Sequence, residues 1–491
     1  MKLKPVNLKT LATTISAVSL LAGCGDDDIN PGNLELPASY EFESLTDTSS
    51  GTSVEHAEAT TRLVLIKELE YLIGSDYLQA VGQNLGPEAA EALLYRIYEG
   101  GTKALTDNVS TSNLYDVYDP NDLESQGSTP IKGMEFDIPL KQTTFQDLHQ
   151  GINLKEVMPG ISYELHYKES LSDELIEQGA VAGPQFIGLA TGIVADENNR
   201  PNVLIEKWFT AIARLAADED DTTRYLETNF NYKSLVTEFL LQSIAGPQVT
   251  NHHLATSALS MDNQNADPEH PNYTPLQHQW DLAWGYYGAN IATIGSIDAR
   301  TVNFMDLNSD NLLDVFKEVN FDFMLHSSDR DDKSPFSTST FADTFLTHYA
   351  SGRVLIDMEY LGEVFHNDWS ISNNAESLNR AWVELASATA IHYANSMLLE
   401  LLYFTSEDEK YNADKYVDAW AKLKATTMAL QFYPNNKLDK TEFSELQQLV
   451  GNKVIFEDTP TKMNNYIVDL FEVLEILATP YEFNKTDYEN W

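Results

Sequence analysis

His278-Gln279-Trp280-Asp281 places an imidazole and a carboxylate three residues apart. On a helix that spacing puts both on one face. The pair could bind one cation together, or Asp281 could orient the imidazole. Trp280, Trp284, Tyr286 and Tyr287 would make a stiff aromatic wall around them. The same residues equally describe a buried histidine capped by a carboxylate in an aromatic core.

A second constellation is Asp306-Leu307-Asn308-Ser309-Asp310-Asn311-Leu312-Leu313-Asp314. Oxygen side chains at loop positions 1, 3, 5 and 9, with a large apolar residue at position 8, resemble the calcium loop of an EF-hand. Asn311 stands where glycine is usual, and asparagine enters left-handed conformations more readily than most residues. Lys317 stands where the bidentate glutamate is expected, and Glu318 comes one residue late. The alternative is an Asx-rich turn that caps the helix after it. A metal-binding reading therefore rests on His278 and Asp281 for one cation, and on Asp306, Asn308, Asp310 and Asp314 for calcium.

A third set is dispersed: His348, Arg353, Asp357, Arg380, Glu384 and His392. Arg353 with Asp357, and Arg380 with Glu384, are spaced to pair along helices. They read either as exposed helix support or as a buried polar seam, and His392 reads first as a satisfied core residue. His252-His253 and Asp329-Arg330-Asp331-Asp332 read as surface features. No phosphate-cradling glycine loop follows a strand, and there is no Gly-x-Ser-x-Gly elbow and no His-Glu-x-x-His signature. These absences weigh against a standard hydrolase or nucleotide enzyme, and no catalytic residue is assigned. A metal-dependent hydrolase would need a general base such as Glu384 or Asp281.

The elements that must position these groups are helices. Apolar residues recur at helical spacing over Leu63–Ile73, Pro87 opens a further helix and Gly100-Gly101 closes it. Beyond Pro201 the periodicity predicts helices over 201–217, 232–244, 248–261, 274–295, 311–325, 339–361, 374–405, 412–431, 440–451 and 462–478. Ala386, Ser387, Ala388, Thr389, Ala390, Ala394 and Ser396 make 374–405 a small-residue helix, suited to a central position. Residues 106–135 read as an irregular insertion, and 153–200 are mixed. The expected fold class is all-α, a multi-helix bundle that could divide into two intimate subdomains.

The chain has 491 residues, 31 basic against 75 acidic, and a formal net charge of −44. Such a charge argues against binding nucleic acid or bare anionic lipid. Its single cysteine, Cys24, ends Leu21-Ala22-Gly23-Cys24, after a basic start at Lys2, Lys4 and Lys9 and a short apolar stretch. This resembles a bacterial lipoprotein signal, which implies cleavage before Cys24 and lipidation of its thiol. The expected division is a signal peptide over 1–23, a lipidated, acidic tether over 24–52, and a helical domain over 53–491. Gly25 after the cysteine implies the outer membrane by resemblance to enteric sorting rules, with the periplasmic or the surface face left open. With Cys24 lipidated, disulfides and thiolate metal sites are excluded.

Four segments, Thr61–Ile73, His278–Gly288, Asp306–Asp314 and Ala388–Tyr393, are similar to a family of uncharacterised bacterial lipoproteins with a large domain of unknown function. His278, Asp281 and Trp284-Gly285 also resemble the His-x-x-Glu and Trp-Gly order of imelysin-like proteins. That likeness implies an iron-uptake role with His278 and Asp281 as metal contacts, and a transport partner in the outer membrane. The expectation from sequence is thus a metal-binding, membrane-anchored lipoprotein. A peptidase-like metal hydrolase and an ion-free surface interaction protein are the alternatives.

Overall fold

The computed structural model describes residues 34–102, 129–159, 187–188, 201–218, 226–227, 230–332, 337–363, 370–406, 408–456 and 460–491. Cys24 lies outside them. Helix α1 (Ala57–Gly74) buries residues all round its circumference, Leu63, Val64, Leu65, Ile66, Leu69 and Ile73 among them. A helix without a polar face belongs in an interior. Ser75 ends it and caps α2 (Asp76–Leu85) by accepting from the Leu78 amide. Pro87 opens α3 (Pro87–Tyr95), which runs into a π-helical turn at Arg96–Gly100.

Helices α4 (Pro201–Ala217) and α5 (Tyr232–Gln248) follow. Pro247 inside α5 cannot donate a backbone hydrogen bond, and the helix passes into a second π turn at Val249–His253. Then come α6 (Thr256–Leu259), α7 (Pro275–Tyr287), α8 (Ile297–Arg300), α9 (Asp322–Asp332), α10 (Phe341–Tyr360) and α11 (Ile371–Thr405). The last four are α12 (Ala413–Ala429), α13 (Lys440–Val450), α14 (Pro460–Ala478) and α15 (Lys485–Tyr488). The fold is all-α. Among the described residues the strands are Leu226–Glu227 and Phe230–Asn231, one short antiparallel pair.

Helix α11 packs against α10, α12 and α14, while α5 bridges α12 to α1, and α1 reaches α7. The small residues of α11 are buried as expected: Ala386, Ser387, Ala388, Thr389, Ala390 and Ala394 all lie inside. Leu36–Trp491 forms one compact unit around one core, so the helices do not divide into subdomains.

Three expected elements differ. The helix expected over 274–295 stops at Tyr287, because Gly288 turns left-handed at φ 69° and its Cα sits against Phe321, where an added Cβ would come within 2.6 Å of the Phe321 Cβ. The 248–261 helix is broken into the π turn and α6. The 311–325 helix begins only at Asp322, because residues 304–319 close on themselves through the Phe304–Val319 bridge. The tether expected over 24–52 also gives way at Leu36. From there the chain docks on the body: the Tyr40 amide donates to Ile291 O at 2.8 Å, the Ser44 hydroxyl to Asn272 O at 2.7 Å and the Thr46 hydroxyl to Pro271 O at 2.7 Å. Ser and Thr side chains that read as a solvated spacer act here as docking donors.

Candidate functional site

Asp281 sits on α7, whose start is fixed by a capping box between Thr274 and Gln277 with Pro275 at the first helical position. Its side chain is fully buried. Oδ1 accepts from the Tyr40 hydroxyl at 2.9 Å and from Arg353 Nε at 3.1 Å. Arg353, on α10 and also fully buried, completes its fork on Asp357 and on the Ser53 hydroxyl at 2.6 Å. The guanidinium lies 4.7 Å above the Phe42 ring. Gln277 Nε2 reaches Asp357 at 2.8 Å, which ties the network back to the α7 cap. Burial pushes the Asp281 carboxyl up to about 7 against the pull of Arg353 and Tyr40. Its Oδ2 is buried without a donor.

His278 does not join this centre. Its Nδ1 lies 3.2 Å from Glu55 O and its ring stacks on Tyr273 with centroids 4.7 Å apart. Burial lowers its pKa. The expected His278–Asp281 pair therefore shares a helix but not partners: Asp281 is engaged by Arg353, and His278 by a backbone carbonyl and an aromatic face.

The 306–314 segment is an Asx-bonded loop. Asp306 Oδ2 accepts the Asn311 amide at 3.0 Å, Asn308 the Asp310 amide at 2.8 Å, and Asp310 the Leu312 amide at 2.8 Å. Ser309 and Asn311 take positive φ, 59° and 62°. Asp306 Oδ1 is buried with no donor. Asp314 points the other way, to Lys141 Nζ and Gln142 Nε2, each at 3.0 Å. Glu318, 3% exposed, braces the loop from beneath by accepting the Leu307 amide at 2.9 Å and the Asp314 amide at 2.7 Å. No helix follows the loop directly, so its turns cap nothing.

The remaining seam is divided. Arg353–Asp357 belongs to the buried centre, whereas Arg380 is exposed and Glu384 and His392 are half-buried along α11. Burial raises the Glu384 pKa. His348 Nδ1 meets Asn374 Oδ1 at 2.7 Å, linking α10 to α11. Two segments read as surface are only partly so: His252 and Asp329 are exposed, whereas their neighbours are held by the body. Arg330 is 1% exposed, and Asp331 accepts the Phe341 and Ala342 amides at the start of α10. His253 bonds Gln279 Oε1 at 2.8 Å, and burial lowers its pKa to about 4.

Sequence reading missed Tyr40, Ser53 and Gln277, all partners from distant segments. It also missed the buried Glu238, which gathers Gln242, Tyr393 and Thr426 from α5, α11 and α12. An acid within the apolar run Leu235–Ile244 was the available signal for Glu238.

Among the described residues no group of three or more His, Cys, Asp or Glu side chains is placed to hold a metal ion, and no helix is long and apolar enough to cross a membrane. No curated protein and no solved structure matches the chain. Residues 208–311, from α4 through α7 to the middle of the Asx loop, match a family model described as a domain of unknown function, DUF4856.

Proposed function

We propose that this is an envelope lipoprotein, anchored through Cys24 in the outer membrane, whose helical domain binds a divalent cation, with calcium at the 306–314 loop as its main ligand. The observation that carries this reading is Asp306 Oδ1, a carboxylate oxygen buried with no donor in a loop whose sequence also carries Asn308 and Asp310. Calcium is the hard cation that such oxygen sets accept. Asp314 is held by Lys141 and Gln142, and Glu318 by backbone amides. Few oxygens are left over, which favours a weak site, of the roughly 0.1–1 mM class found in extracellular modules.

A second reading keeps a transition metal such as iron at His278 and Asp281, with an outer-membrane transport partner, as the imelysin likeness implies. The unpartnered Asp281 Oδ2 favours it. The test is elemental analysis and calorimetry on the full chain, purified in detergent without chelator or metal-affinity resin. Calcium uptake that disappears in Asp306→Asn supports the main reading. Stoichiometric iron lost in His278→Ala supports the second. A chain that takes up neither ion overturns both.

A further inference from the structure

A cleft of about 270 Å³ opens between the start of α10, the middle of α11 and the run 482–491. It is smaller than the roughly 300–1,000 Å³ of sites for drug-sized ligands, so its occupant is small. Its wall combines rings and acids. Phe341, Phe483 and Trp491 form one aromatic cluster, with the Trp491 ring 4.9 Å from Phe483 and 5.9 Å from Phe341 between centroids. Phe483 is the most exposed of the three. Glu384, Glu482 and Asp487 line the same cleft, and among the described residues no lysine or arginine does.

The second observation is how the acids are engaged. Asp487 is occupied: its two oxygens accept from Thr338, the amide at 3.0 Å and the hydroxyl at 2.6 Å. Glu384 and Glu482 differ, for neither side chain makes a hydrogen bond or an ion pair among the described residues. Glu482 is exposed. Glu384 is half-buried, and burial raises its pKa against the pull of Arg380 and Lys437, which stand off without pairing. The rings carry no cation either. Lys437 lies over Tyr481 at 5.3 Å, but no lysine or arginine rests on Phe341, Phe483 or Trp491 among the described residues. Trp491 is 4% exposed, and its indole N–H has no acceptor. Buried polar groups are partnered in most cases, so this wall has hydrogen-bonding capacity to spare. The positive start of α10 does not offset the acids, because Asp331 holds the Phe341 and Ala342 amides.

Carboxylates without a counter-charge beside aromatic rings are the chemistry that recognises an organic ammonium: the acids attract it by charge and the rings through their quadrupole. A bare metal ion suits the cleft less. No group of three or more ligating side chains is placed to hold one among the described residues, and the rings offer it no lone pair. We propose that this cleft binds a small organic cation, an ammonium or its methylated form, whose head group lies on Phe483 between Glu384 and Glu482. Thr340 and Thr344, also in the wall, supply hydroxyl acceptors for a head group that carries N–H. The cleft shares no residue with the 306–314 loop, and it stands or falls independently of the calcium reading.

The test is calorimetry on the full chain in an uncharged maltoside detergent and about 0.15 M potassium chloride, which screens unspecific attraction to the acidic surface. The probes are choline, ethanolamine and the uncharged alcohol in which a carbon replaces the choline nitrogen. At least one of the two cations should bind, with the uncharged alcohol about tenfold weaker or more. The preferred cation tells whether the head group is methylated or carries N–H. Glu384→Gln keeps the shape and removes the charge, and should weaken that cation about fivefold or more. Phe483→Leu should weaken it about threefold or more. Glu472→Gln, on the exposed side of α14 and outside the cleft, should leave it unchanged. Should Phe483→Leu fail to fold, Glu482→Gln takes its place with the same expectation. Absence of heat from both cations, equal binding of the uncharged alcohol, or undiminished binding when Glu384→Gln and Glu482→Gln are combined would each overturn the proposal.

Discussion

Tyr40 stacks on Trp284 with ring centroids 3.9 Å apart and planes 2° from parallel, while its hydroxyl donates to Asp281. A segment that composition assigns to a spacer therefore closes the lid over the most buried ion pair in the α7–α10 interface. Tyr40→Phe keeps the stack and removes one hydrogen bond from a buried carboxyl, so it should cost about 1–2 kcal/mol. Tyr40→Ala should cost about 3–5 kcal/mol by opening a cavity over Trp284. Urea unfolding of both variants checks this. Equal midpoints for Tyr40→Ala and the parent would mean that residues 36–53 are not part of the folded unit.

Arg353 offers a test of how a buried network divides its energy. Removing it leaves Asp281 and Asp357 without their cation, and breaking one side of a buried pair costs about 3–5 kcal/mol. Arg353→Met should therefore be strongly destabilising, while Arg353→Met with Asp281→Asn should recover part of the loss, because the orphaned charge is gone. The double-mutant cycle reads that coupling directly. Strict additivity would argue that Arg353 acts through packing on Phe42 alone.

Glu68 supplies a pH dependence whose sign is fixed. It lies on α1, 3% exposed, and accepts the Lys132 amide at 2.9 Å and the Gly133 amide. Burial nonetheless raises its pKa from 4.5 to about 7. The folded chain then holds a proton that the unfolded chain releases. Its contribution is complete below pH 4.5, shrinks as pH rises, and is lost as pH passes about 7, an effect of at most about 3 kcal/mol. Relative to Glu68→Gln, the parent should lose stability between pH 5 and pH 8. Parallel urea midpoints for the two across that range would contradict it.

Much of this was legible from local pattern. Pro275 and Thr274 announce the start of α7, Asp439 with Glu442 that of α13, and the alanines of 386–394 the interior place of α11. What was not legible is what distant segments do to one another. Nothing local marks Tyr40 as the partner of a carboxylate 241 positions away. Arg330 stands in an acidic, solvent-like run, yet the helix register turns it inward while Asp329 stays outside. The Asn311 turn was readable from its residue type, whereas the bracing of the loop by Glu318 was not, because its bonds go to backbone amides rather than to a motif position.

Gly352 shows the same tertiary control at the scale of one methyl group. It lies in the middle of α10, where helix propensity alone favours alanine by about 1 kcal/mol. A Cβ there would overlap the Trp280 ring, which is itself fully buried and donates its indole N–H to Tyr349 O at 3.0 Å. Neither helix can yield, because Tyr349 also bonds Ala283 O and Trp382 and so ties α10 to both α7 and α11. Gly352→Ala should accordingly destabilise by about 1–3 kcal/mol despite its better propensity. Gly352→Ala with Trp280→Phe should recover part of that loss by making room. Denaturant midpoints decide it: a stabilised Gly352→Ala single variant would mean that α7 and α10 do not approach as closely as the Trp280–Gly352 contact requires.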